Sequence, residues 1–158
     1  LWLYVSDHFS SLYRFSEIII VSSLEEIALM KHYADYHYVE GGNSRQHSLA
    51  NALEYVETSL VMVSDIARCC LDEAMIERLL HAADEADCII PALPVTDTLY
   101  LGGQPVDRAE ARRIQTPQLS RTEVLRRALE SESEYTDESS AIAANGGTIC
   151  FIEGSESA

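Results

Sequence analysis

Apolar and polar positions along this chain change period from block to block, and the changes mark its elements. Leu1, Leu3, Val5, Phe9 and Leu12 recur at helical spacing, so the chain opens on a helix already under way. Glu17 to Ser22 carries the run Ile18-Ile19-Ile20-Val21 and predicts a short strand, after which Ser23 caps a helix from Leu24 to His32. Tyr36 to Glu40 predicts a further short strand, ended by Gly41-Gly42. Ser44 to Tyr55 predicts a helix, with Leu49, Ala52, Leu53 and Val56 at helical spacing. Leu60 to Val63 is uninterrupted apolar sequence, the pattern of a strand buried on both faces. A helix follows from Asp72 to Ala86, with Met75, Ile76, Leu79 and Leu80 inward, and then an apolar strand from Cys88 to Leu93.

Strands alternating with helices at this spacing predict an α/β fold, a doubly wound and mostly parallel sheet with right-handed crossovers. One segment breaks the pattern. From Val95 to Gln115 there is no helical periodicity, and Gly102-Gly103 divides two short extended pieces. That predicts a hairpin projecting from the sheet, and its exposed edges suit it to serve as a dimerisation arm. Ser120 stands as an N-cap for a helix running through Leu129, with Glu123 completing a capping box. Thr136-Asp137-Glu138 opens a short helix to Ala144, and Asn145-Gly146-Gly147 turns the chain into a last strand from Thr148 to Glu153.

A chain of 158 residues fits one domain with a single substantial core. The net charge of −15 argues against nucleic-acid binding, which needs clustered Lys and Arg. A small phosphorylated substrate is still open to it, but Lys31 is the only lysine, so such binding must rest on arginines and backbone amides. No window approaches 18 uncharged apolar residues, which argues against a membrane partner, and the opening Leu-Trp-Leu-Tyr has no signal-peptide pattern. The four cysteines fall in no zinc spacing and read as free thiols of a cytoplasmic protein.

The candidate chemistry gathers after the Leu60 to Val63 strand. Ser64-Asp65-Ile66-Ala67-Arg68 places a carboxylate suited to Mg²⁺ and a cation suited to phosphate three residues apart. In an open α/β sheet, ligands collect beyond the carboxyl ends of the strands. The same residues would equally serve as a helix cap and a solvated cation. Four more clusters accompany this one: Gly41-Gly42-Asn43-Ser44-Arg45 with Ser48, Pro94-Val95-Thr96-Asp97-Thr98, Val106-Asp107-Arg108 with Gln115-Thr116-Pro117-Gln118, and Thr136-Asp137-Glu138-Ser139-Ser140. The five His residues read as incidental to the chemistry, with His32, His37, His47 and His81 on helix surfaces or loop edges, and the acidic run Glu130 to Glu138 reads mostly as a solvated loop.

In their order and spacing, including the eight-residue step from Arg108 to Thr116, these clusters resemble the 2-C-methyl-D-erythritol 4-phosphate cytidylyltransferases of the non-mevalonate isoprenoid pathway. The resemblance runs from about residue 17 onward. It implies a Rossmann-like nucleotidyltransferase that joins a CMP unit from CTP to 2-C-methyl-D-erythritol 4-phosphate and releases pyrophosphate. It implies that Gly42, Asn43 and Ser48 contact the cytidine, where glycines let backbone approach a flat base. It implies Asp65 as the Mg²⁺ ligand, Arg68 in the substrate pocket, and Thr98, Arg108, Thr116 and Thr136 around the methylerythritol phosphate. It further implies a homodimer through residues 95–115, with Arg108 reaching the partner subunit's site. Turn capping is an alternative role for Thr98 and Thr116.

The chain also departs from the family. Its members open with a strand and a Gly-rich loop carrying an Arg and a Lys, and they have a Lys near the domain's far end. Neither is found here, so the chain reads as a fragment. Asn43 stands where Asp is usual, Ile66 where Ala is usual and Cys69 where Pro is common. The variants around Asp65 and Thr116 are similar to those of bifunctional chains fused to the cyclodiphosphate synthase. Two further functions fit the same residues: another sugar-phosphate nucleotidyltransferase, or a non-catalytic α/β module that dimerises through the arm.

Overall fold

The structure, a computed structural model, describes residues 1–131 and 133–157. Helix α1 (Trp2–Leu12) leads into strand β1 (Ile19–Ser22), helix α2 (Leu24–Met30), strand β2 (His37–Glu40) and helix α3 (Arg45–Leu53). Strand β3 (Leu60–Val63), helix α4 (Glu73–His81) and strand β4 (Cys88–Pro94) follow. The next segment holds the β5 (Leu99–Leu101) and β6 (Gln104–Val106) hairpin, a 3-10 turn at Arg108–Glu110, and strand β7 (Arg112–Ile114). Strand β8 (Gln118–Arg121), helices α5 (Thr122–Leu129) and α6 (Glu138–Ala144), and strand β9 (Ile149–Glu153) complete the order.

Local chemistry accounts for most helix starts. Ser23, Ser44, Asp72 and Asp137 each accept a hydrogen bond from the backbone N–H three residues on, satisfying a donor that the first turn leaves open. Gly102 and Gly103 have φ of 58° and 82°, the left-handed pair that a two-residue hairpin turn of the primed kind needs.

Strand β4 organises the core. Its Ile89 packs on one side of the sheet with Leu71, Met75, Ile76, Leu79 and Leu119. Its neighbours Cys88 and Ile90 pack on the other side with Leu53, Leu125, Ala141 and Ile142. The period-two alternation of a strand therefore feeds two apolar layers, which is why Cys88 to Leu93 is apolar without a break.

The α/β class is as expected, but the strand pairing is mixed rather than mostly parallel. The five-stranded sheet has the order β3-β8-β4-β7, with β9 also on β4. Strand β8 runs antiparallel between β3 and β4, so these two run in the same direction without touching, and β9 lies parallel to β4. Ser120 is corrected with it: it sits within β8, fully buried and opposite both Val61 and Cys88, and α5 begins after Arg121 with no side-chain cap. Pairing on two flanks outweighs the local capping signal.

A second correction concerns β3, whose residues are half-buried rather than enclosed on both faces. Strands β1 and β2 form a separate parallel pair. Between that pair and β3 lies a cleft of about 1400 Å³, lined by Ile19, Ile20 and Val21 and by Val61, Met62 and Val63. Arg45, Ser64, Asp65 and Glu138 line the same cleft.

Candidate active site at the carboxyl end of β3

Three of the residues singled out by sequence meet where β3 ends. The Thr116 hydroxyl donates to Asp65 Oδ2 at 3.0 Å and accepts from Arg68 Nε at 3.2 Å. The Arg68 backbone N–H also donates to the Asp65 carbonyl at 3.0 Å, closing a tight turn between them. Thr116 is buried, whereas the Asp65 side chain is 50% exposed, so one carboxylate oxygen is anchored and the group still reaches solvent. This hydroxyl is engaged between two charged groups, so turn capping does not describe its role.

Two residues join them that sequence reasoning left without a role. Arg45, at the start of α3, donates from Nη1 to Glu138 Oε1 at 2.6 Å and lies 3.7 Å from Asp65 Oδ1 through Nη2. Glu138 is fully buried, which corrects its placement in a solvated acidic loop. The signal was present: Glu138, Ala141 and Ile142 share one helix face, and the latter two are core residues. Burial pushes the Glu138 carboxyl above its ordinary value, and Arg45 only partly offsets this. Burial works against Arg45 as well, but Glu138 and Asp65 raise it above its ordinary value, so it stays charged.

Gln118 ties α6 to the sheet beneath this network. It donates to Asp137 Oδ2 at 2.9 Å and accepts from the Ser139 N–H at 3.0 Å. Burial alone would raise the Asp137 carboxyl, but hydrogen bonds from Ser140, Gln118 and Ser139 hold it below its usual range. Thr136 is exposed and immediately precedes this cap.

The turn after β2 is built around close contacts. A Cβ on Gly42 would come within 2.4 Å of His47 Cβ, so no side chain fits there without a shift. The Ser48 hydroxyl accepts from the Gly42 N–H at 3.0 Å and donates to the Ser44 carbonyl at 2.9 Å. Its visible role is thus to shape the turn, while Gly42 and Asn43 are exposed. Thr98 and Arg108 stand exposed on the arm, where Arg108 donates to the Thr96 carbonyl. Ile66 is 50% exposed, so its bulk does not crowd the packed interior beside Asp65. Burial pushes the Cys88 thiol up to about 12, which leaves it inert at neutral pH. Among the described residues no three His, Cys, Asp or Glu side chains gather as a metal site, and no helix is long and apolar enough to cross a membrane.

The chain as a whole has counterparts among known proteins. The family model for 2-C-methyl-D-erythritol 4-phosphate cytidylyltransferase (IspD) matches residues 5–158. The chain is 57% identical over 158 residues to the bifunctional enzyme IspD/IspF of a Sulfurovum species, covering all of this chain and 42% of that protein. Its fold matches the bifunctional IspDF of Campylobacter jejuni with a TM-score of 0.94 at 44% identity, over 99% of this chain and 42% of the other. It matches the 2-C-methyl-D-erythritol 4-phosphate cytidylyltransferase of Thermus thermophilus with a TM-score of 0.83 at 28% identity, over 98% of this chain and 80% of the other. The chain thus spans about two-fifths of the length of the bifunctional relatives. By the extent of these matches, the chain belongs to the 2-C-methyl-D-erythritol 4-phosphate cytidylyltransferase family.

Proposed function

We propose that this chain transfers a cytidylyl group from CTP to 2-C-methyl-D-erythritol 4-phosphate, releasing pyrophosphate, in non-mevalonate isoprenoid biosynthesis. The observation that carries the proposal is the Asp65–Thr116–Arg68 cluster beyond the carboxyl end of β3, in a chain of this family. A phosphate oxygen of the sugar-alcohol phosphate attacks the α-phosphorus of CTP in line. The α–β phosphoanhydride bond breaks, and pyrophosphate leaves with its electron pair. The reacting phosphate is itself the nucleophile, so the protein's task is to hold two anions together and offset their charge.

The side chains divide that task. Arg68, tethered through Thr116, offers its guanidinium to a phosphate. Thr98, Thr116 and Thr136 supply hydroxyls and Arg108 a further cation for the phosphomonoester, with Arg108 reaching the partner subunit's site. Gly42, Asn43 and Ser48 form the edge against which the cytosine rests. Asp65 suits a Mg²⁺ ion: among the described residues its Oδ1 has only the longer ion pair to Arg45, and Mg²⁺ is usually held by one or two carboxylates together with substrate phosphates. When bound, that ion neutralises charge building on the phosphates.

The homodimer belongs to the same proposal, supported by Tyr100 and Leu101 standing 68% and 77% exposed on the arm. A cytoplasmic location is supported by the four free cysteines. Membership in a two-enzyme polypeptide is supported by the 42% share of the bifunctional relatives that the chain covers.

Pyrophosphate release by the full polypeptide, measured with each nucleoside triphosphate against a set of sugar and sugar-alcohol phosphates, tests the substrates. Strong preference for CTP with 2-C-methyl-D-erythritol 4-phosphate is expected. Equal or better turnover with another pair would assign the site to a different nucleotidyltransferase, and no turnover with any pair would favour a non-catalytic module.

A further inference from the structure

One guanidinium faces two carboxylates at this site. Arg45 lies 2.6 Å from the buried Glu138 and 3.7 Å from the half-exposed Asp65. The first distance is a charge-assisted hydrogen bond and the second only an ion pair. The preference has a physical cause. Glu138 is fully buried, its Oε2 is without a partner among the described residues, and Arg45 is the side chain that meets its Oε1. A buried carboxylate without a cation is costly, so pairing gains more there than at Asp65, which has solvent and the Thr116 hydroxyl.

We propose that Glu138 is a positioning residue: by claiming Arg45, it stops that cation from closing on Asp65 and so keeps the Asp65 carboxylate available to a divalent metal ion. The inference rests on the reading of Asp65 as the metal ligand. It gives the buried pair a role beyond packing, because it makes a residue that touches no substrate set the metal affinity of one that does. Without the Glu138 charge, Asp65 becomes the better acceptor, and Arg45 needs to move only about one ångström to reach the roughly 2.7–2.9 Å of a charged hydrogen bond.

The test is Glu138→Gln in the full polypeptide, with two readouts besides activity. Mn²⁺ affinity, followed by electron paramagnetic resonance with a non-hydrolysable CTP analogue bound, should weaken by roughly two- to fivefold, the scale of a partly exposed ion pair. A crystal structure of the variant should show Arg45 hydrogen-bonded to Asp65. Unchanged Mn²⁺ affinity, or an Arg45 that stays at its present distance while affinity falls, overturns the proposal. Asp65→Asn separates this failure from that of the underlying reading. If Asp65→Asn binds Mn²⁺ like the parent, Asp65 is not the ligand; if it loses Mn²⁺ while Glu138→Gln keeps it, only the role of Glu138 is wrong. Should Glu138→Gln not fold, Arg45→Met with Glu138→Leu removes the pair together, a change that buried ion pairs often tolerate. Mn²⁺ affinity at or above the parent's then supports the proposal, and weaker binding overturns it.

Discussion

The carboxyl end of β3 and the arm at residues 95–115 solve opposite problems. Beyond β3, side chains from α3, α6 and two loops hold one another: Glu138 binds Arg45, Arg45 faces Asp65, and Thr116 joins Asp65 to Arg68. Along the arm, β5 and β6 pair only with each other among the described strands, and most side chains are exposed. The first region is organised within one chain, with its charges already compensated. The second carries large apolar groups and the Arg108 cation outward, an arrangement that gains order only from something packed against it. Under the proposed homodimer, the first half is braced to position reacting groups and the second, with few buried contacts, is completed by the partner subunit.

Removing the central carboxylate of the braced half should have the largest effect. Asp65→Asn in the full polypeptide should lower turnover by orders of magnitude while leaving the melting temperature within a few degrees. The half-exposed Asp65 contributes little to packing, so turnover near that of the parent would take it out of the site.

Arg45→Met comes next, because it strands the Glu138 charge. Urea unfolding should show a loss of about 3 kcal/mol at neutral pH, the low end for breaking a buried pair, since Arg45 itself is half-exposed. The sign of the pH dependence follows from the raised Glu138 carboxyl. A carboxyl raised in the folded state binds its proton more tightly there than in the unfolded chain. Its stability is fully present below the ordinary carboxylate range and lost as pH rises through the folded value. The Arg45→Met defect should therefore shrink as pH falls into the acid range. A defect that is the same at both ends would mean that packing of the Arg45 stem, rather than charge, dominates.

The smallest change in stability and the sharpest contrast are expected on the arm. Arg108→Ala should alter unfolding by less than about 0.5 kcal/mol, as an exposed substitution does, yet weaken binding of the sugar-alcohol phosphate by roughly 1.5–3 kcal/mol. If the arm serves the partner subunit, mixing full-length Arg108→Ala with full-length Asp65→Asn should restore part of the activity, because one heterodimer site then carries both intact residues. A mixture no more active than its components would return Arg108 to its own subunit's site and remove the division between the two regions.

The sequence by itself determined what depends on residues a few positions apart. The strand–helix alternation, the caps at Ser23, Ser44, Asp72 and Asp137, and the Gly102-Gly103 turn all rest on hydrogen bonds or dihedral preferences within a single turn of chain, so the residue types carry the answer. Asp65 and Arg68 were legible as a pair because they sit three residues apart at a strand end. Tertiary structure decided the rest. Ser120 looks like a helix cap in its local window, and only pairing with Val61 and Cys88, 59 and 32 residues away in the chain, makes it part of a strand. Glu138 stands in an acidic run that resembles solvated loop, and what makes its burial tolerable is Arg45, 93 residues earlier, arriving from another helix. A buried charge persists only where its counter-ion is brought to it, and which counter-ion arrives is settled when the sheet and its two helical layers pack together.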